Sequence, residues 1–163
     1  MADLKSFEQE EESEICTSTI VIFNAEMQLK LNEERSFTVR AKEINNFPAI
    51  HTSPGKTHKL TSSTSDTWVG GAFAPECNAN GVAPGPFDAL RRAGFAKQMA
   101  LCGELHRHNE SDFIGGTMFS VGTSKTHAGP SNKWGFYNFF ANDVLAGYGD
   151  NEGSIRVTIK RTR

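Results

Sequence analysis

No apolar run in this chain approaches the ~18 residues of a membrane-spanning helix. The N-terminus, Met-Ala-Asp-Leu-Lys-Ser-Phe-Glu, lacks the apolar core of a secretory signal peptide. The expected setting is therefore cytoplasmic, or release without a signal peptide. Cysteine is scarce: Cys16, Cys77 and Cys102 are odd in number and nowhere spaced CxxC, which argues for free thiols over a disulfide framework. Net charge is small as well. The 17 Lys/Arg against 19 Asp/Glu leave −2, giving no bulk attraction to nucleic acid or an anionic membrane. Internal repeats and long low-complexity tracts are also missing. What remains is 163 residues, enough for one domain with an ordinary core.

Strand patterns fill that length. Thr17–Phe23 is rich in Thr, Ile and Val, and Met27, Leu29 and Leu31 alternate with polar residues. Phe37, Val39 and Ala41 alternate in the same way, and Thr57–Thr67, Met99–Leu105 and Phe113–Val121 read as further strands. The aromatic run Phe136-Tyr137-Asn138-Phe139-Phe140 has the composition of a buried strand. Ile155, Val157 and Ile159 alternate with Arg156, Thr158 and Lys160, a half-exposed strand. Between these lie Asn45–Gly55, the long Gly/Pro/Asn loop Ala72–Pro86 and the polar loop Ser124–Lys133. Phe87–Lys97 alone has a short helical look, with a polar connector as the alternative. Many short strands, turn residues between them and one possible helix predict an all-β sandwich. Residues 1–14 hold Glu8, Glu10, Glu11, Glu12 and Glu14 and read as a solvated acidic arm. The division expected is 1–36, an acidic arm plus extra strands, packed on a domain of residues 37–163.

The chain is organised around Asn142–Ser154, which carries Asp143, Asp150, Asn151 and Glu152 among Gly147, Gly149 and Gly153. A hard cation such as Ca²⁺ takes roughly 6–8 oxygen ligands, and glycines let a loop turn its own carbonyls toward one. An EF-hand is excluded, since acidic residues do not alternate after Asp143. Asp, Asn and Gly are equally the ordinary residues of plain turns. From the residues alone both readings stand.

The stretch Phe139–Ile159 resembles the C-terminal segment of the LecA-type calcium-dependent galactose-binding lectins. That family has a hydrophobic strand, Asn-Asp-Val, a short loop, Tyr-Gly-Asn-Asn, a small residue, Gly-Ser and an alternating strand. Here the positions read Asn142-Asp143-Val144, Tyr148-Gly149-Asp150-Asn151 and Gly153-Ser154, without a gap. Ser53-Pro54-Gly55-Lys56 with Trp68 resembles the family's Asn-Pro-Gly-Asp and strand-end Gly-Trp, and Leu101-Cys102-Gly103-Glu104-Leu105 its Cys-Gly-Ala-Leu strand. The likeness covers about 37–163 and is most specific at 139–159.

The resemblance implies a small jelly-roll-like sandwich with its ligand site on loops at one end. It implies Ca²⁺ held by Asp143, Asp150 and Asn151, with main-chain oxygens from Gly147 and Gly71. It implies galactose-containing glycans bound through Asp143, Val144, Asp150, Pro86 and Asp88, no catalysis and a homo-oligomer. Two departures matter. Asp150 stands where the family has Asn, and Pro84-Gly85-Pro86-Phe87-Asp88 replaces its His-Pro-Asp-Gln.

Other readings compete. A calcium-free interaction or structural sandwich would keep the loop merely as a turn. His106-Arg107-His108 puts two rings on one face of a strand, a zinc arrangement, yet no third ligand has convincing spacing. A hydrolase built on that pair lacks a recognisable nucleophile–base partner. Lys160-Arg161 and Arg163 make a short cationic tail, too small on an acidic chain to predict nucleic-acid binding.

Overall fold

The computed structural model describes residues 27–71, 74–83, 85, 88–107, 116–129 and 134–163. The acidic arm, the predicted strand Thr17–Phe23, Pro86 and His108 lie outside the described residues.

Two antiparallel sheets pack into a sandwich. In the first, β1 (Glu34–Arg40) runs along β11 (Asn151–Arg161) from Glu34↔Lys160 to Arg40↔Ser154. On the other side of β11 lie β3 (Thr57–Ser62) and β4 (Trp68–Gly70), flanked by β9 (Ser124–Ala128) and β5 (Ala74–Cys77). The second sheet has the order β2 (His51–Thr52), β10 (Gly135–Ala141), β7 (Gln98–Arg107) and β6 (Asn80–Val82), with β8 (Thr117–Ser120) also on β7.

The β11 alternation does what a half-buried strand should. Ile155, Val157 and Ile159 are fully buried between the sheets, and Arg156 and its even-numbered neighbours face out. They meet Val39, Leu60, Tyr137 and Phe139 in one apolar cluster that Leu29 also enters. Phe37 sets its ring 5.1 Å from that of Phe139 across the interface.

β10 is buried on both faces, so it reads as a continuous aromatic run rather than an alternation. Tyr137 and Phe139 face the sandwich, and Phe140 packs on the opposite side with Ala93, Ala96, Ala100, Cys102 and Tyr148. The connector 88–97 lies over that outer face. Its one regular piece is a 3-10 turn, Asp88–Leu90, in place of the short helix predicted across Phe87–Lys97.

Three other expectations are corrected. Met27–Leu31 is not a strand: Gln28 makes one bridge to His51, and the chain then turns at Leu31-Asn32, leaving Leu31 58% exposed. Ser124–Ala128 is the edge strand β9, not a loop; its register with β3 runs from Thr57↔Ala128 to Thr61↔Ser124. Ala72–Pro86 contains β5 and β6, so it is less of a free loop than its composition predicts.

Candidate functional site

The Asn-Asp-Val segment leaves the end of β10 and is braced by Asn142. Its amide Nδ2 donates to the carbonyls of Ala93 (2.9 Å), Lys97 (3.0 Å) and Ala96 (3.1 Å). Its Oδ1 accepts from the Ala93 N–H at 2.8 Å. Main-chain bonds from Met99 to the Asn142 carbonyl and from Asn142 to the Ala100 carbonyl complete the brace. One buried side chain thus ties the 93–97 turn to the strand end, as a satisfied buried amide must.

Asp143 follows and is 4% exposed. Its Oδ1 accepts from the Val144 N–H at 2.8 Å, and its carbonyl accepts from the Arg92 N–H at 3.0 Å. Its Oδ2 faces Gly147, where an added Cβ would lie 3.0 Å away. Val144 bridges Arg91 in antiparallel register, which brings the 88–91 segment alongside the site. A 3-10 turn, Leu145–Asp150, then carries the chain over buried Tyr148, whose hydroxyl donates to the Ala141 carbonyl. Burial pushes the Tyr148 phenol up to about 12.

At the far end of that turn the exposed Asp150 carboxylate lies against Gly71, with Oδ1 2.7 Å from where a Cβ would stand. Gly71 has φ 58°, a left-handed conformation that suits glycine. Asn151 pairs with Gly70 and belongs to β11, so the predicted loop ends at Asp150. The Asn151 side chain is buried; Nδ2 donates to the Ala41 carbonyl at 3.3 Å, and Oδ1 has no hydrogen-bond partner.

The structure therefore sets Asp143 against Gly147, Asp150 against Gly71 and Asn151 in register with Gly70. Among the described residues no three His, Cys, Asp or Glu side chains group together. The side-chain oxygens of Asp143, Asp150 and Asn151 are of the hard kind that would suit Ca²⁺ or Mg²⁺ over softer metals. Asp88 opens the 3-10 turn that leads to Arg91 and so lies in the connector bordering Val144.

His106 of the predicted zinc pair is 2% exposed. Its ring stacks on Phe136 (centroids 5.2 Å, planes 12° apart), and its Nε2 lies 3.3 Å from Glu104 Oε2. Glu104, fully buried, also accepts from Arg92 and from the Gly116 N–H at 3.0 Å. Burial alone would raise this carboxyl; His106, Arg92 and the Gly116 N–H together outweigh it and hold it below the ordinary range. Arg92 lies 3.9 Å over the Phe140 ring. The network so formed fixes the connector whose Arg92 N–H holds Asp143. Neither Asn142 nor Arg92 was among the expected site residues. An Asn inside the motif was the available signal for the first; the second pairs with a carboxylate twelve residues away and leaves no local pattern.

These two sheets define a β-sandwich. Among solved structures the chain is similar to the EclA N-terminal domain, a PllA-like lectin, with TM-score 0.55 and 19% identity over 77% of this chain and 94% of that one. At that identity the likeness establishes the fold. No family model matches the sequence, and no curated protein matches it.

Proposed function

We propose that the chain is a non-catalytic, calcium-dependent lectin for terminal galactosides. The observation that carries the reading is the buried Asn151 Oδ1, an amide oxygen left without a hydrogen-bond partner next to Asp150 in sequence. A buried polar atom without a partner costs free energy and calls for an explanation, and a hard cation supplies one. Asp143, Asp150 and Asn151 would hold the ion, with main-chain oxygens of Gly71 and Gly147. A bound Ca²⁺ would offer its open positions to two vicinal hydroxyls of a sugar.

The chain's own groups do the rest. Asp143 and Asp150 accept hydrogen bonds from those hydroxyls, and ionised acceptors make the stronger bonds. Val144 supplies an apolar wall. Asp88 and Pro86 belong to the rim and rank one galactoside against another. Asp150 adds a negative charge where the LecA-type lectins have Asn, which favours the divalent ion, because ligand charge tunes such sites.

The test is a glycan array probed with calcium and again with excess EGTA, repeated with Asp143→Asn. Galactoside binding should vanish in EGTA and in the variant, while circular dichroism stays that of the folded chain. Wild-type binding that survives full calcium removal defeats the proposal, as does Asp143→Asn binding at wild-type strength. In either case the site is a turn, and the sandwich serves as an interaction or structural domain.

A further inference from the structure

Two features of the sequence are left unused by the sugar site: the acidic arm and the cationic tail. Residues 1–14 carry six carboxylates against Lys5, a net of −5, so the remaining residues carry +3 within the total of −2. Lys160 and Arg161 of the tail end β11, whose register brings further cations opposite them. Lys160 stands directly across from Lys59 on β3, and Arg161 across from His58. Arg163 is tied to Thr57 by a main-chain bond from Thr57 N–H to its carbonyl, next to Lys56 in sequence. Like charges directly opposite in a sheet disfavour the pairing unless something compensates them. On its other side Lys160 faces Glu34 of β1, an opposite charge, whereas Lys59 faces only Thr126 of β9. Among the described residues the side chains of Lys59, Lys160 and Arg163 form no ion pair.

The chain also enters the described fold at this corner. The Leu29 carbonyl accepts from Arg161 Nη1 at 3.0 Å, and the Asn32 N–H donates to the Arg161 carbonyl at 2.8 Å. The stretch from Glu14 to Met27 can span about 40 Å if extended, so length does not prevent the arm from reaching Lys59 or Lys160. Tethering gives the arm a high effective concentration at a surface of opposite charge.

We propose that Glu8–Glu14 of the acidic arm docks, within the same chain, on the facing lysines Lys59 and Lys160. The contact is electrostatic, so it weakens as salt shortens the screening length. It is independent of the sugar site.

Zero-length carbodiimide coupling of the full chain tests it, with the products mapped by mass spectrometry. At about 20 mM salt the expected products join Glu8, Glu10, Glu11, Glu12 or Glu14 to Lys59 or Lys160, with yields falling at least about tenfold at about 0.5 M. Coupling spread evenly over Lys42, Lys97 and the other amines overturns the proposal, as does a yield indifferent to salt. Mixing isotopically heavy and light protein separates the occupants: heavy–light products would mean that the arm of a second copy docks, which also overturns it. A full-length variant with Glu→Gln at all five positions should raise the acetylation rates of Lys59 and Lys160 several-fold. Unchanged rates refute the contact.

Discussion

Replacing Gly71 by Ala separates the candidate ion site from the stability of the fold. A methyl group at Gly71 would collide with the Asp150 carboxylate, whose Oδ1 lies 2.7 Å from the added carbon. Asp150 is an exposed, flexible side chain, so it swings away at little cost to the fold. The backbone cost is separate. At φ 58° an L-residue is disfavoured by roughly 1–2 kcal/mol, which lowers the melting temperature by about 2–8 °C in a domain of this size. The effect on the ion is of another kind. Moving one of two carboxylates out of the ligand set should weaken calcium at least about tenfold, or roughly 1.4 kcal/mol. Gly55→Ala is the matched control, because φ is 72° there and nothing lies within 4 Å of an added Cβ. It should melt earlier by a similar amount and bind calcium as the wild type does. Isothermal titration calorimetry beside thermal melts reads both quantities. If Gly71→Ala keeps calcium affinity within about twofold of wild type while melting earlier as expected, Asp150 is not a ligand at this position and the reasoning fails.

Calcium itself should raise the melting temperature by mass action, about 2.7 kcal/mol at a hundredfold excess over its dissociation constant. Identical melts with calcium and with EGTA would argue for the plain turn. Acid should destabilise the core through the Tyr137 hydroxyl, which lies 3.2 Å from Nδ1 of both His58 and His127. Burial, aided by nearby cations, lowers both imidazoles to about 4. The unfolded chain therefore binds more protons between pH 6.5 and about 4, so stability is fully present above that window and is lost as pH falls through it. Buried His58 accounts for roughly 3 kcal/mol and the more open His127 for less. Urea titrations across the window check this. Tyr137→Phe removes the shared hydroxyl and should cost about 1–2 kcal/mol, read as a shift in the urea midpoint. A neutral result would show that the two rings are satisfied by other means.

The sandwich is legible where one face of a strand is buried and the other wet. The β11 alternation and the aromatic β10 are the clearest cases, and the motif joining them sits at the end where the candidate site forms. Edges are harder to read. Ser124–Ala128 sends only His127 well inward, so its hydroxyls and lysine resemble a loop, and pairing with β3 makes it a strand. Met27–Leu31 fails the other way. Its alternation is real, but Asn32 at φ 65° turns the chain and leaves Leu31 in solvent. The limit of the candidate loop was also hidden: Asn151 looks like a turn residue and is the first rung of a ladder to Gly70. Long-range polar pairing leaves no trace in local order. Asn138 meets Asn45 at 2.7 Å across more than ninety residues, and nothing near either predicts it.

β11 is held on both sides, by β1 along one edge and by β3 and β4 along the other. A slip of one residue would turn Ile155, Val157 and Ile159 out into water and the intervening polar side chains inward, so drift in register is closed to natural variation. Asn151 is the first residue of that strand, and its height relative to Gly70 is set by the ladder. The connector 88–97 is under no such rule and meets the site through one bridge, Arg91 to Val144, and the Asn142 and Arg92 contacts. Substitutions in its exposed residues, Leu90 and Phe95 among them, can alter the surface beside the candidate site while the oxygen at Asn151 stays where it is. Sequence change in the connector is therefore free of the register that fixes β11.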